Sequence, residues 1–237
     1  MKELAMAHKA RREIYSFFGL SMYKELTSEA LESLPVILNA LKALNDLIQN
    51  EQFSKGVKIF EDFLHKAEET DDKGALLNEI ATIYATLFLV PTHIPDKTTP
   101  YPYESLYTGK HKMIMDDPRD EVYKAYRLAG FNLQQESNEP EDHIGLELLF
   151  MARLAERMAE NLEEKANKGY SSIAEDLETS IKFLKEHPLA FIDRLSNLVE
   201  KETEHSFFQG IAFMLPAFLR FDLAYLEAAR PEGDSKN

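Results

Sequence analysis

Residues 139–162 read Glu139-Pro140-Glu141-Asp142-His143-Ile144-Gly145-Leu146-Glu147-Leu148-Leu149-Phe150-Met151-Ala152-Arg153-Leu154-Ala155-Glu156-Arg157-Met158-Ala159-Glu160-Asn161-Leu162. Ile144, Leu148, Met151, Leu154, Ala155, Met158 and Leu162 recur at steps of three and four, the period of one face of an α-helix. Asn138 or Glu139 stands before Pro140, a residue tolerated in the first helical turn because the amide there has no partner to lose. Glu141 and Asp142 put negative charge where the helix dipole favours it. The stretch predicts a helix that starts near Pro140 and runs to about Gly169.

The same period recurs on both sides of it. Leu4, Ala7, Arg11, Ile14 and Phe18 form a first stripe, with Arg11 its polar member, and Gly19 is expected to close that helix. Thr27 or Ser28 caps a second helix, which Pro35 breaks or restarts. Phe53, Val57, Phe60, Phe63, Leu64 and Ala67 mark a third, ended by the polar run Glu68 to Asp72. Leu76, Leu77, Ile80, Ile83, Tyr84, Leu87 and Phe88 give a stripe wide enough for a central, nearly buried helix. Asp117-Pro118 opens another that Gly130 stops, and Ser172 with Glu175 makes a capping box. His187-Pro188 separates that helix from one carrying Leu189, Ile192, Leu195 and Val199. The last spans about Glu204 to Ala229 and contains Pro216. The expected fold is all-α, a bundle of about nine to eleven helices. It divides into residues 1–133 and 134–237 at the polar joint 131–138, and a Pro/Tyr loop over 91–109 belongs to the first part.

Composition agrees and excludes much else. Nine glycines and ten prolines in 237 residues are few for a many-stranded sheet. Without cysteine there is no disulfide framework and no thiolate metal site. A net charge of −14 has the wrong sign for a phosphate-backbone binder and suits a basic or amphipathic peptide. The start of the chain brings Glu3 at once, and Arg11-Arg12 is followed by charged Lys24 and Glu25, so no export leader is expected there. The uncharged run Ile80–Pro95 is too short for a membrane span and ends in proline. A soluble, cytoplasmic protein is expected.

Dinucleotide, P-loop and zincin motifs are absent from the sequence. Only Glu202-x-x-His205 has the spacing of a di-iron bundle, which needs two such pairs. Glu139, His143 and Glu147 are spaced i, i+4, i+8 and would share a face if the helix began early enough. Two readings follow: a metal site of a helical metal-dependent enzyme, or a helix start whose histidine pairs with a neighbouring glutamate. Gly145 beside that face allows another backbone to come close. The loop Thr99-Pro100-Tyr101-Pro102-Tyr103-Glu104-Ser105-Leu106-Tyr107 offers rigid aromatic contact area, or fills a gap between the two parts.

The run Glu139-Pro140-x-Asp142-His143-x-x-x-Glu147-Leu148-x-Phe150-Met151 resembles the characteristic stretch of the TorD/DmsD family of cytoplasmic molybdoenzyme chaperones. Tyr84-x-x-Leu87-Phe88 with Pro102-Tyr103-Glu104-Ser105-Leu106-Tyr107 is similar to that family's tyrosine-bearing helix and following loop. Phe183-Leu184-x-Glu186-His187, with Phe191 beyond it, is similar to its third landmark. Tyr107 and Phe191 stand where members often carry tryptophan. The resemblance implies a protein that is not an enzyme and needs no metal. It implies binding of the twin-arginine signal peptide of a molybdenum- or tungsten-containing oxidoreductase, delay of its export and help in cofactor insertion. It further implies that Asp142 and His143 form the central pair, with Glu139, Pro140, Glu147, Tyr103, Glu104 and Tyr107 around them and Tyr84, Met151, His187 and Phe191 behind. Exchange of Asp142 and His143 is then expected to abolish leader binding and to spare the fold, unless His143 locks the joint. No cofactor is expected; a guanine nucleotide is an alternative carried by the resemblance alone. A monomer or a domain-swapped dimer is compatible with the two-part organisation.

Overall fold

The structure, a computed structural model, describes residues 1–89, 99–131, 139–163 and 169–230. Ten α-helices and one π-helical turn make up the regular structure among them, with no strand. The helices are α1 (Lys2–Tyr23), α2 (Ser28–Ile48), α3 (Glu51–Glu69), α4 (Lys73–Tyr84), α5 (Ser105–Thr108), α6 (Asp117–Leu128), α7 (Ile144–Glu163), α8 (Gly169–Glu186), α9 (Pro188–Glu202) and α10 (Ser206–Ala228). The π-helical turn, Ala85–Leu89, extends α4.

Side chains that compete with the helix interior supply the caps. Thr27 Oγ1 accepts from the Ala30 amide, Asn50 Oδ1 from those of Gln52 and Phe53, and Asp72 Oδ1 from that of Ala75. Pro118 and Pro188 sit in the first turns of α6 and α9. Gly130, just past α6, takes φ 78°, a conformation that a side chain resists. Pro35 and Pro216 do not interrupt α2 or α10. Pro35 lies on the exposed side of its helix, where water can take the freed carbonyl.

Two crossings organise the bundle: α1 lies along α7, and α3 along α10. Each turns on a pair of glycines. A Cβ on Gly145 would stand 2.7 Å from Tyr23 Cβ and 2.9 Å from the Gly19 carbonyl oxygen. A Cβ on Gly56 would stand 2.6 Å from Met214 Cγ and 2.8 Å from the Gly210 oxygen. The helices approach until backbone meets backbone, which only hydrogen side chains permit. Gly19 therefore does not end α1, which continues to Tyr23. Its glycine serves a crossing instead of a stop.

A single buried cluster runs through both crossings, from Ile14, Phe18 and Phe60 to Met151, Phe218 and Leu226. Helices before and after residues 132–138 thus share one core, and the joint itself falls, apart from Phe131, outside the described residues. The most deeply buried helices are α7 and α10. The Leu76–Phe88 stripe was expected to be central, yet only Ile80, Tyr84, Leu87 and Phe88 of it are buried. Its width reflects the turn to π-helical geometry at Ala85, which rotates the face partway along. By length and composition α10 could cross a membrane, but 67 % of that window is buried inside the protein, as in a core helix.

An ion pair closes the α1–α10 contact. Arg11 Nε donates to Asp222 Oδ1 at 2.6 Å and Nη2 to Oδ2 at 2.9 Å, while Tyr15 Oη donates to Oδ2 at 2.6 Å. His8 Nδ1 lies 2.9 Å from Arg11 Nη1, and burial with that guanidinium holds its pKa down to about 4. Bidentate pairing and two neighbouring polar groups, Tyr15 and His8, make this charge tolerable in the core. Ser172 falls inside α8, Gly169–Glu186.

Candidate functional site

Helix α7 starts at Ile144 and not at Pro140. The reason is a local pairing of two extended segments. Tyr103 and His143 form an antiparallel bridge, with the Glu104 amide donating to the Asp142 oxygen at 2.9 Å and the Ile144 amide to the Pro102 oxygen at 2.7 Å. Asp142 and Ile144 give backbone groups to loop 99–104, and the helix can begin only at Ile144. Glu139, His143 and Glu147 consequently do not line one helical face. Glu139 is directed to Tyr103, whose hydroxyl donates to Oε2 at 2.5 Å, and His143 Nδ1 accepts from the Gly145 amide at 3.0 Å. Among the described residues no group of three His, Asp or Glu side chains is placed to hold a metal ion.

Asp142 is fully buried. One carboxylate oxygen accepts from both the amide and the hydroxyl of Ser105, the amide at 2.8 Å, and so pins the first residue of α5 to the entry of α7. Its Oδ1 has no partner among the described residues. Burial raises the Asp142 pKa against the two Ser105 bonds, which lower it. His143 is 2 % exposed, edge-on to Tyr23 and Tyr103 with ring centroids 5.5 and 5.3 Å away. Desolvation drives its pKa down to about 3, so the ring is neutral and carries its proton on Nε2.

Three carboxyls meet below this point. Glu104 presents Oε1 to the Thr108 hydroxyl at 3.0 Å and Oε2 to His187 Nδ1 at 2.9 Å, with both Glu104 and His187 buried. Glu147 is fully buried, and neither of its oxygens makes a hydrogen bond of good geometry among the described residues. Burial first, then the charges of Glu104 and Asp142, raise its pKa well above its ordinary value. Tyr107 stacks on Phe191 at 5.4 Å and 28°, and its hydroxyl donates to the Tyr101 oxygen at 2.9 Å. The loop, the start of α7 and the α8–α9 junction therefore converge through Tyr103/His143, Glu104/His187 and Tyr107/Phe191. Met151 is buried one turn further along α7, and Pro140 is buried behind Glu139.

The burial corrects one expectation. Asp142 and His143 cannot be exchanged at no expense to the fold, because both are held inside it. What the surface offers is Tyr103, Glu139 and Glu141, all half-buried, with Glu141 held by the Arg119 fork whose Nη2 donates to Oε1 at 2.9 Å. Beside them lies a cleft of about 300 Å³ lined by Phe17, Leu34, Ile80 and Tyr84, with exposed Glu13 and Glu25 among its residues. Tyr84 joins the two places. Its hydroxyl donates to the Met22 oxygen at 3.4 Å, and burial first, then Glu139 and Glu25, raise its pKa.

Sequence reasoning did not find Asp222, the cleft, or the pairing of Glu104 with His187. Arg11 in an apolar stripe was the available signal for Asp222: a buried guanidinium demands a carboxylate. The cleft is formed by α1, α2, α4 and α10 together and has no local signature.

The family described as nitrate reductase delta subunit matches residues 50–197, well over half of the chain. The Chaperone protein TorD of Vibrio parahaemolyticus serotype O3:K6 is 26 % identical over 226 residues, covering 95 % of this chain and 99 % of that one. The proteins of the same name from Vibrio atlanticus and Aliivibrio fischeri are each 25 % identical, over 227 and 228 residues, with the same coverage. The three converging landmarks all lie within or beside the matched span, and the chain belongs to the TorD/DmsD family of molybdoenzyme chaperones, which are not enzymes.

Proposed function

We propose that this chain is a cytoplasmic chaperone that binds the twin-arginine leader of a molybdoenzyme precursor and delays its export while the cofactor is inserted. The observation that carries the reading is the adjacency, through Tyr84, of an apolar cleft with Glu13 and Glu25 among its residues to the half-buried carboxylate of Glu139. A leader of this kind joins two arginines to an apolar stretch, and carboxylates beside an apolar cleft match both parts. Guanidinium forks pair with carboxylates bidentately, which favours arginine over lysine. In this reading Tyr103 and Glu139 touch the leader. Pro140, Asp142, His143, Glu104, Glu147, Tyr107, His187 and Phe191 hold the wall that presents them.

Calorimetric titration tests it, with a peptide carrying S-R-R-x-F-L-K and its apolar region, and the same peptide with both arginines replaced by lysine. Micromolar or tighter binding that weakens in salt and with lysine is expected. Glu139→Gln should weaken it about tenfold, the size of one charge-assisted hydrogen bond, at an unchanged melting temperature. Equal affinity for the arginine and lysine peptides would sink the reading.

A further inference from the structure

Glu147 stands in the first turn of α7 with both carboxyl oxygens buried and without a hydrogen-bond partner of good geometry among the described residues. Asp142 Oδ1 shares that condition. A buried carboxyl without a donor weakens a fold in a way that an apolar side chain would not. The groups that face it give no relief. Glu104, at the entry of α5, and Asp142, at the entry of α7, act on it as like charges. Glu104 has its own oxygens engaged with Thr108 and with His187 of the α8–α9 junction. Tyr126 of α6 faces the same carboxyls, but its hydroxyl donates to the Glu141 oxygen at 3.0 Å. His143 turns Nδ1 to the Gly145 amide, and both Ser105 donors go to Asp142 Oδ2. With its proton, Glu147 needs only an acceptor, and Glu104 is one. Without it, Glu147 adds a negative charge beside two others in a site closed to water.

Residues 99–108 cover this site and contribute Glu104 to it. Thr99, Pro100, Pro102, Glu104, Ser105 and Tyr107 are all buried. The segment is seated by few contacts: the Glu104 and Ile144 amides of the antiparallel bridge, the Ser105 amide on Asp142, Glu104 on His187, and Tyr107 on Phe191. Its one helix, α5, spans only Ser105–Thr108, so the segment can lift without unravelling a long helix. We propose that Glu147 is a proton-operated latch, which keeps residues 99–108 seated while it is protonated and frees them when it ionises. Burial and the two like charges raise its pKa in the seated form, and lifting admits water and returns it towards the ordinary value. The lifted form therefore binds fewer protons, and lifting becomes easier as pH rises above that value. Tyr103 and Glu139 lie on the two segments that the latch joins. On the reading that they touch the leader, its capture shuts the latch and takes up a proton.

Amide exchange on the full chain tests the latch, read at Glu104, Ser105 and Ile144 over a pH series upward from the ordinary carboxylate value. After correction for the pH dependence of exchange itself, their opening constant should rise by up to about tenfold per pH unit, the slope of one proton. It should also exceed that of α3 and α10 amides by about tenfold or more, as a local opening requires. In Glu147→Gln the slope should vanish while α3 and α10 keep their protection. An unchanged slope in that variant, or loop amides that open only together with α3 and α10, overturns the latch. Should the variant not fold, the carbon-13 shift of the Glu147 carboxyl in the unaltered chain decides. It is expected to stay at its protonated value while exposed glutamates titrate, and titration alongside them overturns the latch. Leader titration in phosphate and in Tris, whose heats of ionisation differ, reads the coupling. Proton uptake on binding is expected, and its loss in Glu147→Gln. Leader binding without proton uptake overturns the coupling, whereas no leader binding at all removes the leader reading and leaves the latch to be judged by exchange.

Discussion

Gly145→Ala makes the sharpest test of the helix crossing. On an isolated helix the change is favourable by about 1 kcal/mol, because alanine restricts the unfolded chain and glycine does not. Here the added carbon would lie 2.7 Å from Tyr23 Cβ and 2.9 Å from the Gly19 oxygen. Ordinary carbon contacts begin near 3.5 Å. Relief therefore needs about 0.8 Å of separation between α1 and α7, and both obstacles belong to backbone or Cβ atoms that no rotamer change can move. Overpacking of this kind costs about 1–3 kcal/mol. Because the obstacles are rigid the upper half applies, and the net loss is about 1–2 kcal/mol. With a urea slope of about 3 kcal/mol/M the unfolding midpoint should fall by about 0.3–0.7 M. Gly56→Ala meets Met214 Cγ at 2.6 Å and the Gly210 oxygen at 2.8 Å and should lose a similar amount. Gly210→Ala meets Phe60 Cβ at 3.1 Å and the Gly56 oxygen at 3.2 Å and should lose clearly less. If Gly145→Ala were as stable as the parent, or if Gly210→Ala were the worst of the three, close backbone approach would not be what the glycines provide.

The Arg11–Asp222 pair should show strong coupling. Arg11→Leu or Asp222→Leu alone leaves one buried charge unpaired and should cost about 3–5 kcal/mol, whereas the double variant should recover most of it in a thermal double-mutant cycle. Histidines held neutral set an acid limb. The pKa values of His8 and His143 are depressed to about 4 and about 3, so they stabilise the fold above pH 6.5, and that stability is lost as pH falls from 6.5 through 4 to 3. His143→Gln should flatten this limb in denaturation series at fixed pH. Glu147 acts with the opposite sign: its raised pKa favours the fold at low pH, and the benefit fades as pH rises above its ordinary value. Glu147→Gln should therefore reduce the dependence of stability on pH above the ordinary carboxylate value. Ser105→Ala removes the hydroxyl donor to buried Asp142 and should cost about 1–3 kcal/mol, while its backbone amide keeps the loop in register, as exchange protection at Ser105 would report.

Periodicity located the helices well because burial of a stripe is a local matter of spacing. Phe53 to Ala67 became α3, and His187-Pro188 separated α8 from α9. Where the reading missed, a distant segment had intervened. Gly19 looked like a stop, and only the second glycine at 145 shows it to be a contact. Pro140 looked like a first helical residue, but loop 99–104 claims the backbone that a helix would need. The landmark residues do meet in space, at Tyr103/His143, Glu104/His187 and Tyr107/Phe191. Spacing within one helix could not show that Asp142, His143 and Glu147 face inward, since burial there depends on which segment lies on top.

The order of the two crossings bears on how the chain is made. Arg11 and its partner Asp222 are 211 positions apart, and α3 finds its groove on α10, the last helix described. On the ribosome, Phe17, Phe18, Phe53, Phe60 and Phe63 emerge long before anything can bury them. A chain with such distant pairings completes its core only after α10 has been made. For most of its synthesis, then, this chaperone is itself an exposed apolar polypeptide, and truncation anywhere before α10 should yield an aggregating product and not a smaller working domain.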